Sequence, residues 1–134
     1  MEYRYESTKE FKENDLKELF LSVGWSSGNY PEKLVVAMKG AGSVFSAWHE
    51  GKLIGLIMAL DDGIMNAYIH YLLVRPEFQG KGIGKQLVEC VKEAYREYLR
   101  IVLIAYDKEL GFYQSCGLSV MEEKTPMGIT TLTT

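Results

Sequence analysis

The chain has 134 residues, of which 47% are hydrophobic, 12% aromatic and 25% charged, with a formal charge of -3 at pH 7. A chain of this length buries roughly two thirds of the surface its unfolded form exposes, so a core holds it without disulfides or a structural metal. The acidic balance excludes a general nucleic-acid or anionic-membrane binder, and Cys90 and Cys116, without paired spacing and with only His49 and His70 in the chain, exclude a zinc site.

The opening MEYRYESTKE lacks the basic-then-apolar order of a signal peptide, and the longest apolar stretch, 53–60, is too short to span a bilayer. We therefore expect a cytoplasmic protein with reduced thiols and no membrane or nucleic-acid partner. With no repeat, low-complexity tract or linker, 1–134 reads as a single domain.

Residues 2–5 read as a short strand. Asn14 or Asp15 caps a helix whose Leu16, Leu19, Phe20 and Val23 recur at helical spacing, and Gly24 stops it. An aromatic loop over 25–30 leads to Pro31 and Glu32, which open a second helix carrying Leu34, Val35 and Met38 and ending at Gly40. Residues 43–49 and 52–60 are β-rich runs about Glu50-Gly51, which predicts a hairpin. After a turn at Asp61-Asp62-Gly63, residues 67–74 form a third strand, stopped by Arg75-Pro76 because proline lacks a donor and biases its predecessor away from helix.

From Gly82 to Tyr98 the apolar stripe Ile83, Leu87, Val91, Ala94 and Tyr98 predicts an amphipathic helix. The fully apolar 101–105 reads as a central strand, 110–115 as a short helix ending at Gly117, and 118–122 and 128–132 as final strands. The fold class is α+β.

The most informative segment runs from Val74 through Arg75, Pro76, Gln79, Gly80, Lys81, Gly82, Ile83 and Gly84 to Lys85: a strand ends, a glycine-rich loop follows and a helix begins. Glycines let backbone approach a bulky anion, and the free N–H groups of a helix N-terminus donate to phosphate oxygens. Lys81 and Lys85 oppose the helix dipole there unless an anion compensates them, although a tight turn with solvated lysines has the same composition. A Walker A loop needs four residues before its Gly-Lys pair and then Ser or Thr; Gly80 to Gly84-Lys85 leaves three, and Gln86 follows. The spacing Gly80, Gly82, Gly84 after hairpins also departs from the dinucleotide fingerprint.

Gln79-Gly80-Lys81-Gly82-Ile83-Gly84 resembles the Q/R-x-x-G-x-G/A signature of the GNAT N-acetyltransferases, placed after a Val-x-Pro strand end and before a long helix. The stretch 111–118, GFYQSCGL, resembles the late FYxxxGF segment of that family with Leu118 replacing the usual aromatic, and the similarity covers almost the whole chain. It implies a mixed, mostly antiparallel sheet flanked by helices, with a splay between two parallel central strands. It implies an enzyme that uses acetyl-CoA, and no metal, to acetylate a primary amine of a small molecule or peptide by direct transfer. Homodimers are common in the family.

By this resemblance the backbone of Gly80, Lys81, Gly82, Ile83, Gly84 and Lys85 holds the pyrophosphate, with Gln79, Lys81 and Lys85 adding side-chain polarity, while the backbones of Leu72 and Val74 bind the acetyl carbonyl and pantetheine amides. Tyr113 matches the tyrosine that protonates departing CoA thiolate; a half-buried aromatic is the other reading of that position. Strict alternation from Leu72 puts His70 and Tyr68 on one strand face. His70, which titrates near neutrality, is the candidate base, with a hydrogen-bonded sheet histidine as the alternative. The family often has Glu near this point and Asn near Tyr106-Asp107; this sequence has neither. Trp25, Tyr30 and Tyr68 offer aromatic faces to an amine, a more distant similarity to enzymes related to plant arylalkylamine N-acetyltransferases. A non-catalytic acyl-CoA-binding module is the alternative function.

Overall fold

A computed structural model describes residues 2–133. The elements are β1 (Arg4–Glu6), α1 (Glu13–Ser22), α2 (Pro31–Lys39), β2 (Ser43–His49), β3 (Lys52–Asp61), β4 (Asn66–Val74), α3 (Ile83–Ala94), β5 (Arg100–Leu103) and α4 (Leu110–Ser115). Single 3-10 turns stand at Ser26–Asn29, Pro76–Phe78 and Asp107–Glu109. The strands form one sheet in the order β1-β2-β3-β4-β5, antiparallel except for the parallel pair β4–β5. This is the mixed, mostly antiparallel α+β sheet expected from the sequence.

The continuous apolar run of β3 and the apolar residues of β4 bury both faces of the sheet's middle, and helices cover both. On one face α3 buries Ile83, Leu87, Val88 and Val91 against Ile54, Ile57 and Ala59 of β3 and Ile69 of β4. On the other, Leu16, Leu19 and Phe20 of α1 and Leu34 and Met38 of α2 pack on Leu53, Leu56 and Met58 of β3 and on Tyr71 and Leu73 of β4. Each fully buried leucine or phenylalanine contributes roughly 1.5–3 kcal/mol. The β2–β3 turn is the predicted one: Glu50 and Gly51 both take positive φ, 50° and 79°, which matches the right-handed twist of the strands.

Several boundaries differ from the sequence reading. Helix α1 starts after Lys12 with no side-chain cap, so Asn14 and Asp15 lie inside its first turn, where Glu13 and Asp15 favour the dipole. Helix α3 ends at Ala94, short of Tyr98: Tyr95 leaves the helical conformation at φ -112°, ψ 24°, and its hydroxyl contacts Asp61 Oδ2 at 2.6 Å and Ser43 Oγ at 2.7 Å. Strand β5 stops at Leu103 and is an edge strand of the described sheet, where a central strand over 101–105 was expected. Neither 118–122 nor 128–132 is a strand. Apart from half-buried Leu118, residues 118–133 are exposed, with Met127 at 91% and Ile129 at 105%, so no buried face holds them in a ladder.

Candidate functional site

Two features of β4 build the site. The parallel ladder with β5 runs from Asn66–Arg100 to Ile69–Leu103 and ends there, so the second half of β4 diverges from the chain beyond β5. On its other side β4 stays paired with β3 as far as Val74–Gly55. The Arg75 N–H donates to Ile54 O at 2.8 Å. Because backbone groups alternate sides along a strand, Leu72 and Val74 direct theirs away from β3, into the opening. This is the splay between parallel strands expected for this fold, with Leu72 and Val74 on its rim.

The second feature is a β-bulge. Met58 of β3 pairs with Tyr71 and the next residue, Ala59, pairs with Ile69, so His70 is an extra residue in β4. A bulge shifts the phase of alternation. Ala67 and Ile69 face α3, yet past the bulge Leu72 and Val74 face α3 while Tyr71 and Leu73 face α1. The expectation that Tyr68, His70 and Leu72 share one face is thereby corrected: Tyr68 and His70 stay together, and Leu72 turns to the other side.

The bulge gathers an aromatic group beside the opening. Tyr68 Oη and His70 Nδ1 are in hydrogen-bond contact at 3.1 Å. The His70 and Tyr71 rings lie 4.4 Å apart, and Trp25 meets Tyr71 at 6.2 Å and Tyr106 at 6.4 Å. Ser27 Oγ, in the turn after Trp25, is 3.3 Å from Tyr71 Oη, which ties the α1–α2 loop to the bulge. Burial pushes the His70 imidazolium pKa below its ordinary 6.5, so the ring is neutral at pH 7, and burial and the neighbouring Tyr71 push the Tyr68 phenol up. Trp25, Tyr68 and His70 were singled out in the sequence. Tyr71 and Tyr106 were not, because strict alternation assigns Tyr71 to the core and only the bulge, which no glycine announces, brings it here. Tyr30 stands apart, 44% exposed, and joins no ring contact among the described residues.

From Val74 the chain passes through Arg75 and the Pro76–Phe78 turn into the glycine-rich segment. Gly80 and Gly82 adopt φ of +76° and +83°, and a Cβ built at either meets nothing within 4 Å, so the space above the loop is open. Gly82 caps α3 without a side-chain hydrogen bond, and the first turn holds no acidic residue. The first intrahelical bond there is from Gln86 N–H to Gly82 O, which leaves the N–H groups of Ile83, Gly84 and Lys85 without a helical partner. With the exposed Lys81 and Lys85 alongside, these free donors and positive charges fit a pyrophosphate. Gln79 does something else: its Nε2 donates to Val74 O at 2.9 Å, bracing the neck of the loop.

Tyr113 of α4 lies on the α3 side of the sheet, in a groove of about 760 Å³ shared with Ile69, Val88, Leu103 and Cys116. Burial first, then Glu109 and Cys116, push its phenol up to about 12, so it keeps its proton at neutral pH. The ring of its neighbour Phe112 approaches Gly84, where a Cβ would come within 3.2 Å, so α4 rests on the start of α3. At neutral pH His70 is thus an imidazole able to accept a proton and Tyr113 a phenol able to donate one.

Comparison with known proteins agrees with this architecture. The model of the Acetyltransferase (GNAT) family matches residues 6–118. The chain is 43% identical over 82 residues to "GCN5-related N-acetyltransferase 2, chloroplastic" of Arabidopsis thaliana, a match covering 60% of this chain and 30% of that protein. It is 31% identical over 119 residues to "Uncharacterized N-acetyltransferase ycf52" of Pyropia yezoensis, covering 83% of this chain and 67% of the relative. The chain thus spans between about a third and two thirds of the length of these relatives. Among solved structures, a GNAT family acetyltransferase of Streptococcus pneumoniae superposes with a TM-score of 0.84 at 25% identity, covering 97% of this chain and 98% of that one.

Proposed function

The chain belongs to the GNAT acetyltransferase family, and we propose that it is an N-acetyltransferase that moves the acetyl group of acetyl-CoA to a primary amine of a small molecule or peptide, both bound at once. The observation that carries this reading is the course of one strand: β4 bulges at His70 beside the opening, ends four residues later at Val74, and leads through the Pro76–Phe78 turn to the open glycine turn at the start of α3. One element thereby positions both a base and an anion cradle.

The backbone of Gly80 to Lys85 would hold the pyrophosphate of CoA, with Lys81 and Lys85 neutralising it, and the outward N–H and C=O of Leu72 and the outward N–H of Val74, whose carbonyl Gln79 holds, would bind the amides of its arm. When bound, acetyl-CoA supplies the thioester carbonyl that an amine attacks. His70 is the base. With the ring proton on Nδ1 and donated to Tyr68 Oη, 3.1 Å away, the Nε2 lone pair is free to take the amine proton. Tyr68 is then an orienting residue more than a wall of the acceptor pocket. Tyr113 Oη, protonated at neutral pH, gives up a proton as the thiolate departs. Trp25 and Tyr106 form the aromatic wall over which the amine arrives, backed by buried Tyr71, each face worth about 0.5–2 kcal/mol to an ammonium group before it loses its proton.

The test is thiol release from acetyl-CoA against a panel of small amines, polyamines and peptide N-termini, run on the wild type, His70→Gln and Tyr113→Phe. Release with at least one amine class, lost in both variants while CoA still binds, is the expected result. Binding without release on any amine would convert the reading to a non-catalytic acyl-CoA-binding module.

A further inference from the structure

Among the described residues the buried polar or charged side chains are Ser27, Ser46 and Arg75. Arg75 is the charged one. Taking a guanidinium out of water is unfavourable, and an apolar residue of similar volume fills such a space with less desolvation cost, so a buried arginine calls for a reason beyond packing.

Its contacts converge on one point, where β4 becomes the glycine-rich loop. The Arg75 backbone N–H donates to Ile54 O at 2.8 Å, and its Nε donates to Leu53 O at 2.8 Å, so two successive carbonyls of β3 grip one residue. Its Nη2 reaches Glu18 Oε2 of α1 at 3.5 Å. Its carbonyl accepts from Phe78 N–H at 2.9 Å, closing the first turn of the loop. Pro76 then fixes the next φ, and Gln79 bonds back to Val74 O. No other residue ties β3, α1 and the loop together in this way among the described hydrogen bonds and ion pairs.

We propose that Arg75 is a positioning residue for the phosphate loop: its buried guanidinium, held by Leu53 O and Glu18, sets the direction in which the chain leaves β4 and so presents the N–H groups of Gly80 to Lys85 to the pyrophosphate. This rests on the acetyl-CoA reading of the loop. Arg75 touches neither cofactor nor acceptor; it acts on the geometry of the groups that do.

The experiment is a calorimetric titration of CoA into the wild type, Arg75→Met, Arg75→Lys and Glu18→Gln, with thermal unfolding and a split of KM for acetyl-CoA from kcat. Methionine keeps the volume and removes both contacts. Lysine keeps a charge for Glu18 and loses the fork that holds Leu53 O. A displaced cradle predicts a CoA Kd weakened on the order of ten- to a hundredfold in Arg75→Met, a smaller loss in Arg75→Lys and the smallest in Glu18→Gln, with kcat at saturating acetyl-CoA within about threefold of the wild type. A lower Tm with unchanged Kd and KM would overturn the proposal, because that is what a purely structural role gives. If Arg75→Met fails to fold, Arg75→Lys and Glu18→Gln decide: weakened CoA affinity in both supports the proposal, and unaltered affinity in both overturns it. A wild type that binds no CoA refutes the acetyl-CoA reading and this inference with it, an outcome distinct from equal binding by wild type and variants.

Discussion

Replacing Gly82 by alanine separates what the backbone of the loop needs from what its ligand needs. Gly82 sits at φ +83°, ψ 3°, and an L side chain in that left-handed region costs about 1–2 kcal/mol. A Cβ at Gly82 meets nothing within 4 Å, so no clash adds to this. For a chain of this size the free chain should melt about 3–10 °C lower. The open space above Gly82 is also where the pyrophosphate is proposed to lie, so a methyl there should weaken CoA on the order of tenfold. At a CoA concentration 100 times the wild-type Kd, ligand stabilisation is about 2.7 kcal/mol, and a tenfold weaker Kd reduces it to about 1.4 kcal/mol. Gly63, at φ +83° with nothing within 4 Å of its Cβ position, is the matched control at the opposite end of β4. Gly63→Ala should show the same loss without ligand and the full CoA increment. Thermal unfolding of the three chains with and without CoA is the assay. A Gly82→Ala chain that keeps the full increment, or a Gly63→Ala chain that loses it equally, refutes the placement of the anion.

Three further predictions follow from the site and its supports. His70→Gln should lower kcat/KM by about 10²–10⁴; because burial holds the His70 pKa below 6.5, wild-type activity should be level above that pH and fall on its acid side as the base protonates, a limb absent from the variant's pH profile. Tyr113→Phe should slow turnover by about 10²–10⁴ with CoA affinity unchanged in calorimetry, and any alkaline limb owed to this phenol should lie near pH 12, where it loses its proton. At Gly42 a methyl would run into the Asp61 carboxylate that accepts the Tyr95 hydroxyl, so Gly42→Ala should destabilise by about 1–3 kcal/mol in denaturant unfolding.

The sequence was most legible where local chemistry decides the structure. Glu50-Gly51 between β-rich runs and the stripe Ile83, Leu87, Val91 each needed only a turn preference or a periodicity to be recognised. The open glycine turn at the start of α3 was readable for the same reason, since glycines, lysines and a helix start are adjacent in the chain. The aromatic cluster at the bulge was only half readable. His70, Tyr68 and Trp25 could be named, but Tyr71 joins them through a one-residue bulge set by pairing with Met58 and Ala59 of β3, and Tyr106 through its contact with Trp25, tertiary facts with no mark in the local sequence. Residues 128–132 show the converse: Thr130, Thr131 and Leu132 have strand propensity, yet propensity without a partner edge and a buried face does not make a strand. Gln79 and Arg75 were visible as loop residues, but their bonds to Val74 O and Leu53 O required the fold.

The most direct test of the whole account is to follow the backbone amides of Gly80 to Lys85 and the His70 ring by NMR during a CoA titration, then add acetyl-CoA and the amine panel to the same sample and measure thiol release. The account predicts large shifts confined first to the loop and the start of α3, followed by thiol release with at least one amine. CoA binding that leaves those amides unmoved, or no binding at all, would contradict it.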